Sequence, residues 1–117
     1  MEETQITQKL QKPQISYEDL QKVDIRMCFV KSVEKVENTD KLYKLVIDTG
    51  FDERIVVSAI ADIFTLDKVL YKICPFVLNL EPRKIRGIIS QGMIILAEDK
   101  YNRITFPQDA QVGAILV

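Results

Sequence analysis

The residues able to do chemistry crowd into one stretch, Asn79-Leu80-Glu81-Pro82-Arg83-Lys84-Ile85-Arg86-Gly87-Ile88-Ile89-Ser90-Gln91-Gly92-Met93. Three cations, Arg83, Lys84 and Arg86, stand there against one anion, Glu81, so the stretch carries +2 and the rest of the chain −3. Arginine presents a planar fork of donors and lysine a mobile point charge. Both pair with phosphate oxygens, and arginine also stacks on flat rings. Asn79 and Ser90 can hydrogen-bond sugars or base edges, and Met93 offers a polarisable contact. Gly87 and Gly92 permit tight or positive-φ backbone and close approach of a ligand. Pro82 fixes the entry and removes one donor. Each has a plainer reading: a solvated turn for the cations, a turn cap for Asn79, local backbone pairing for Ser90, and core packing for Met93.

Other chemistries lack their residues. The chain has no histidine and no CxxC, which removes most zinc and haem sites and histidine-based acid–base catalysis. Cys28 and Cys74 lie far apart in apolar runs and read as two small buried hydrophobes. Gly87 to Gly92 has the glycine spacing of a phosphate-binding P-loop, but Met93 and Ile94 stand where Lys and Ser or Thr are needed. No GxSxG elbow occurs. Asp48, Asp52 and Glu53 read as a solvated turn rather than a cation site. The expectation is a binding module with no catalytic residue, no metal and no cofactor.

The elements that must hold the stretch follow from periodicity. Ser16 is placed to cap a short helical turn over Tyr17–Leu20, with Asp19 in the capping-box position. Val23, Ile25, Met27 and Phe29 alternate with polar or small residues, which predicts a strand running to about Val36, bent or exposed in its second half. After the turn cluster 37–41, Leu42–Ile47 and Arg54–Ser58 form a hairpin-like pair, with Ile55 and Val57 on one face. Ala59–Leu70 fits a broken helical pattern, with Thr65 as a second cap. Ile73–Leu80 is a fourth strand in which Pro75 implies an edge or a bulge. Ser90–Ala97 is a fifth and Arg103–Phe106 a short sixth. Three strands, a helix and two strands make the fold class all-β, an OB-fold five-stranded barrel with a short helix between strands 3 and 4. Another small β-barrel is the alternative. Residues 1–14, polar but for Ile6 and Leu10 after Met1, read as a flexible arm or linker, or an arm packing on a second subunit, and 15–117 as the domain. An apolar content of 47% in 117 residues supports one packed domain. No apolar run reaches membrane-helix length, and the polar N-terminus is no secretory signal, so a soluble, cytoplasmic protein with no membrane partner is expected.

Three segments then carry a resemblance. Val23-Asp24-Ile25-Arg26 resembles an opening "DxR" strand, and Asp40-Lys41-Leu42-Tyr43-Lys44-Leu45-Val46-Ile47-Asp48-Thr49-Gly50 an "ADKLxxLxVDxG" hairpin. Asn79-Leu80, Pro82-Arg83-Lys84-Ile85-Arg86-Gly87 and Ser90-Gln91-Gly92-Met93-Ile94-Ile95-Leu96-Ala97 resemble, almost position for position, the signature of the tRNA-binding domain family. That family is shared by stand-alone tRNA-binding proteins, the C-terminal domain of methionyl-tRNA synthetase, and synthetase cofactors of the endothelial monocyte-activating polypeptide type. The resemblance covers roughly 15–117. It departs at Met27-Cys28, at Ser58-Ala59 and at Thr39, where Val-Gly, Ser-Gly and Ala are usual.

The resemblance implies an OB-fold without catalysis that binds the folded shape of tRNA in aminoacylation and protein biosynthesis. It acts either alone as a homodimer through its terminal extensions, with Ala114 to Val117 as a contact, or as part of methionyl-tRNA synthetase. The implied RNA-binding residues are Arg26, Lys41, Ser58, Asn79, Arg83, Lys84, Arg86, Ser90 and Met93. The alternative is a protein-interaction module resembling a small secretion-associated chaperone, a lineage that usually departs from the signature.

Overall fold

The computed structural model describes residues 11–98, 104–105 and 111–115. Its elements are α1 (Tyr17–Gln21), β1 (Ile25–Lys35), β2 (Tyr43–Asp48), β3 (Glu53–Ser58), α2 (Leu66–Val69), β4 (Ile73–Val77), β5 (Arg83–Ile85), β6 (Ile88–Ser90), β7 (Met93–Ile94), β8 (Ala97–Glu98) and β9 (Ile104–Thr105). Five strands make one antiparallel sheet in the order β3-β2-β1-β4-β7, while β5-β6 and β8-β9 pair separately. This is the OB-type all-β barrel expected from the sequence, with the short helix α2 between β3 and β4. Among the described residues no helix is long and apolar enough to cross a membrane.

The long strand β1 makes the curl. Its pairing with β2 shifts register between Val30 and Ser32, leaving Lys31 as a bulge. A bulge adds one unpaired residue, bends the strand and reverses the phase of its faces. Cys28 and Val30 therefore point inward before it, and Val33 after it. The alternation that identified the strand belongs to the other face. Met27 on that face is also buried, and the C-terminal segment pairs alongside its backbone: Met27 N donates to Ala114 O at 2.8 Å, and Gly113 N donates to Met27 O at 2.7 Å. β1 thus buries residues on both faces.

The core is filled from all the main strands. Cys28, Val30, Leu45, Ile47, Val56, Cys74 and Phe76 are fully buried, with Val69 of α2 closing one end. In β3 it is Val56 that points inward, while Ile55 and Val57 share the opposite face. The two cysteines, distant in sequence, are direct cross-strand partners on β1 and β4. Both are free and buried as expected, and burial pushes each thiol up to about 12.

Several local expectations are refined. Ser16 Oγ accepts from Asp19 N at 3.0 Å, but the Asp19 carboxylate pairs with Lys22, so the capping box is half formed. Thr65 precedes α2, yet its hydroxyl donates to the Asp67 carboxylate at 2.6 Å and caps no backbone N–H. Only Leu66–Val69 of the 59–70 stretch is helix. Pro75 sits in an interior strand and is fully buried. Its partner on β1, Met27, turns both backbone groups to the C-terminal segment, so no ladder donor is missing there. On the other side Pro75 O accepts from Ile95 N at 2.9 Å, and the absent N–H cannot return the bond, which stops β7 at Ile94. The expected fifth strand is therefore broken into β6, β7 and β8. Of the sixth, only Ile104–Thr105 is described. The N-terminal arm over 1–10, Arg103, Phe106 and the tail residues 107–110 and 116–117 lie outside the described residues.

Candidate nucleic-acid interface

The cationic stretch is a hairpin rather than a loop. Arg83 pairs with Ser90, Lys84 with Ile89 and Ile85 with Ile88. The two residues at the tip, Arg86 and Gly87, have φ of +52° and +82°. Positive φ at both central positions is what a type I′ turn requires, and this turn follows the natural strand twist. Glycine takes that conformation freely. Arginine takes it at a cost of roughly 1–2 kcal/mol, so the hairpin holds a strained cation at its tip.

The base of the hairpin closes the barrel, and it does so largely with side chains. Ser90 Oγ accepts from Val57 N at 2.9 Å. Gln91 Oε1 accepts from Ile55 N at 3.1 Å, and Gln91 N donates to Ile55 O at 2.8 Å. Ser90 and Gln91 thereby satisfy the open edge of β3, which would otherwise display unpaired donors. Gly92 follows where the chain crosses onto β4: a Cβ there would lie 2.9 Å from Val77 O. The close approach that Gly92 permits is to a neighbouring strand, whereas Gly87 serves the tight turn.

The candidate residues fall into two groups. Arg83, Lys84 and Arg86 are exposed on the hairpin, and none forms an ion pair with another described residue. Met93, at the start of β7, is 50% exposed. Lys41 is exposed beside the β1–β2 turn, and Ser58 ends β3 next to the hairpin, opposite Tyr43. The other three have structural partners. Asn79 Oδ1 accepts from Asp24 N at 2.8 Å while its Nδ2 donates to Lys22 O, tying the end of β4 to the approach to β1. Ser90 is 5% exposed and holds the seam. Arg26 pairs with Asp24 at 2.9 Å and lies over the Phe51 ring, 5.1 Å from its centroid. The carboxylates of the β2–β3 turn are likewise used: Asp48 by Gly50 N, Asp52 by Thr49 and Arg54, and Glu53 by Lys31.

Two concavities flank the hairpin. On one side a polar groove of about 410 Å³ is lined by Glu34, Lys35, Asn38, Lys44, Arg86 and Ile88, among others. It joins the β1–β2 turn to the hairpin tip, the two loops that border the oligonucleotide face of OB-folds. On the other side a smaller slot of about 150 Å³ lies among Val57, Leu80, Ile85, Met93, Glu81 and Arg83. Lys35, Lys44, Leu80 and Ile85 were not legible as site residues. Lys35 and Lys44 lie in different strands next to the same turn, and only pairing brings them to one rim.

A family model described as "Putative tRNA binding domain" matches residues 25–115. The methionine–tRNA ligase of Cytophaga hutchinsonii is 45% identical over 101 residues, 86% of this chain but 15% of the enzyme. The chain thus spans a small part of such ligases, and the stretch it matches is a binding domain rather than a catalytic one. Among solved structures, the MetRS-related protein from Pyrococcus horikoshii superposes with a TM-score of 0.82 at 35% identity, covering 91% of this chain and 100% of that one. The CsaA chaperone protein from Picrophilus torridus has a TM-score of 0.78 at 25% identity, covering 89% of this chain and 100% of that one. The matched residues contain the curled sheet, the side-chain seam and the cationic hairpin, and the chain belongs to the tRNA-binding domain family.

Proposed function

We propose that this chain binds the folded shape of tRNA through the β5–β6 hairpin and the adjacent β1–β2 turn, without catalysing a reaction on it. The observation that carries the reading is the hairpin itself: three exposed cations, unpaired within the described protein, on an element anchored at its base by the seam. Arg83, Lys84 and Arg86 supply phosphate contacts, with Lys41, Lys35 and Ser58 bordering the same end. Asn79 and Ser90 act by holding that geometry, while Arg26 is engaged by Asp24 and the Phe51 ring. A net charge of −1 keeps nonspecific attraction low, so the local +2 of the hairpin stretch dominates. The module works in the cytoplasm, alone or joined to a methionyl-tRNA synthetase, with 15–117 as its domain.

The test is binding of folded bulk tRNA against a simple RNA hairpin of equal charge density. With about four phosphate contacts, tRNA affinity should fall roughly a hundredfold between about 50 and 200 mM salt. Arg83→Ala, Lys84→Ala and Arg86→Ala should each weaken binding and reduce the salt slope by about one. Equal affinity for both RNAs would leave only nonspecific electrostatics. Absence of tRNA binding at low salt, with a peptide bound instead, would favour the chaperone-like alternative.

A homodimer is the proposed working form. Helix α1 buries none of its residues, and Ile15, Tyr17, Leu20 and Val23 leave apolar surface exposed around it. Sedimentation at micromolar concentration should give twice the 13.5 kDa chain mass. A monomer there would sink the dimer.

A further inference from the structure

The slot beside the hairpin has a character different from the groove. Its walls are mainly apolar, formed by Val57, Leu80, Ile85 and Met93, and its two charges, Glu81 and Arg83, cancel. Leu80 and Met93 remain 48% and 50% exposed, so two large apolar side chains face water at the foot of a cationic hairpin. A phosphate gains nothing in such a place, since Glu81 opposes it and the walls cannot solvate it. At about 150 Å³ the slot is also far smaller than a site for an extended small-molecule ligand. Its volume is enough for one flat heteroaromatic ring. Such a ring can lie against the Met93 thioether, walled by Leu80 and Ile85.

We propose that the Leu80–Ile85–Met93 slot receives one unstacked nucleobase of the bound RNA, while Arg83 and Lys84 hold the neighbouring phosphates. The inference rests on the RNA-binding reading and deepens it. The hairpin reads the backbone on one side and a splayed base on the other. Folded RNAs that display an unstacked base near a dense run of phosphates then bind better than regular helices, which have no base to offer.

The chain contains only three methionines, Met1, Met27 and Met93, which makes a methyl-labelled sample a direct reporter. Met93 lines the slot, and buried Met27 serves as an internal control. The probes are a four-nucleotide single-stranded RNA, its abasic counterpart of equal charge, and bulk tRNA, each titrated into the full chain. The RNA and the tRNA should move the Met93 methyl upfield through the ring current of a base, leave Met27 in place, and lose the signal in Met93→Ala. The abasic strand should leave the Met93 methyl unmoved. Leu80→Ala and Met93→Ala should each lower tRNA affinity by roughly five- to tenfold, the scale of one base contact, with the salt slope unchanged.

Equal shifts with the abasic strand, or an unmoved methyl with tRNA bound, would overturn the slot. So would a Leu80→Ala variant that binds tRNA like the parent while remaining folded. A leucine-bearing peptide that moves the methyl when RNA does not would assign the slot to protein side chains instead. If the slot variants are silent while Lys84→Ala and Arg86→Ala still weaken tRNA binding, the base slot fails and the hairpin reading stands. If both sets are silent, the RNA reading fails with it.

Discussion

Gly92→Ala is expected to lower the stability of the fold by about 2–3 kcal/mol, a fall in Tm on the order of 10 °C. Glycine at this position has no positive φ to justify it. The reason is steric. An added Cβ meets Val77 O at 2.9 Å and Val56 Cγ2 at 3.4 Å. The carbonyl belongs to β4, whose pairing with β7 places Val77 opposite Met93, immediately after the glycine. Relief would have to come from moving one strand against the other at the barrel seam. Thermal or urea unfolding of the variant measures the effect directly. A loss below about 0.5 kcal/mol would mean that the chain crossing is loose and that Gly92 serves another purpose, such as admitting a ligand.

Ser90→Ala should cost about 1–3 kcal/mol, because it strands the buried Val57 N–H without an acceptor. This substitution separates two roles that the sequence leaves entangled. If Ser90 is a clip on β3, stability falls and the affinity of the remaining folded molecules for tRNA stays within about twofold. If Ser90 is a direct RNA contact, affinity falls while unfolding is unchanged. The geometry favours the clip, since its hydroxyl also lies 3.4 Å from Gly92 O and has little surface left to offer. Titration at a temperature well below the variant's own Tm gives the required comparison.

The seam also explains why the Ser-Gln-Gly run reads as a signature. Ser90 and Gln91 replace two ladder bonds on the edge of β3, and Gly92 lets the chain pass β4. Asn79 does comparable work at the other end of the stretch, through Asp24 and Lys22. The conspicuous polar residues therefore position the cations, while the cations face outward without partners among the described residues.

The class of fold, the order of its main strands and the stretch that carries the chemistry are legible in the sequence. Those properties are local. Period-2 alternation, turn clusters and a run of cations are written in neighbouring residues, and the family signature is one contiguous segment. Register, closure and partnership were decided only in three dimensions. The β1 alternation names the strand, yet only the phase change at the Lys31 bulge and the burial of Met27 show that both faces are buried. Pro75 looked like an edge residue because a proline lacks a donor. It is tolerated inside because Met27 turns its backbone elsewhere. Cys28 and Cys74, Lys35 and Lys44, and the Leu80, Ile85 and Met93 walls each come together by pairing between segments. Asn79 and Ser90 had two chemically equal uses in the sequence, and the tertiary hydrogen bonds supply the structural one. A side chain's type sets which bonds it can make. Which of them it makes depends on the strand that the fold lays beside it.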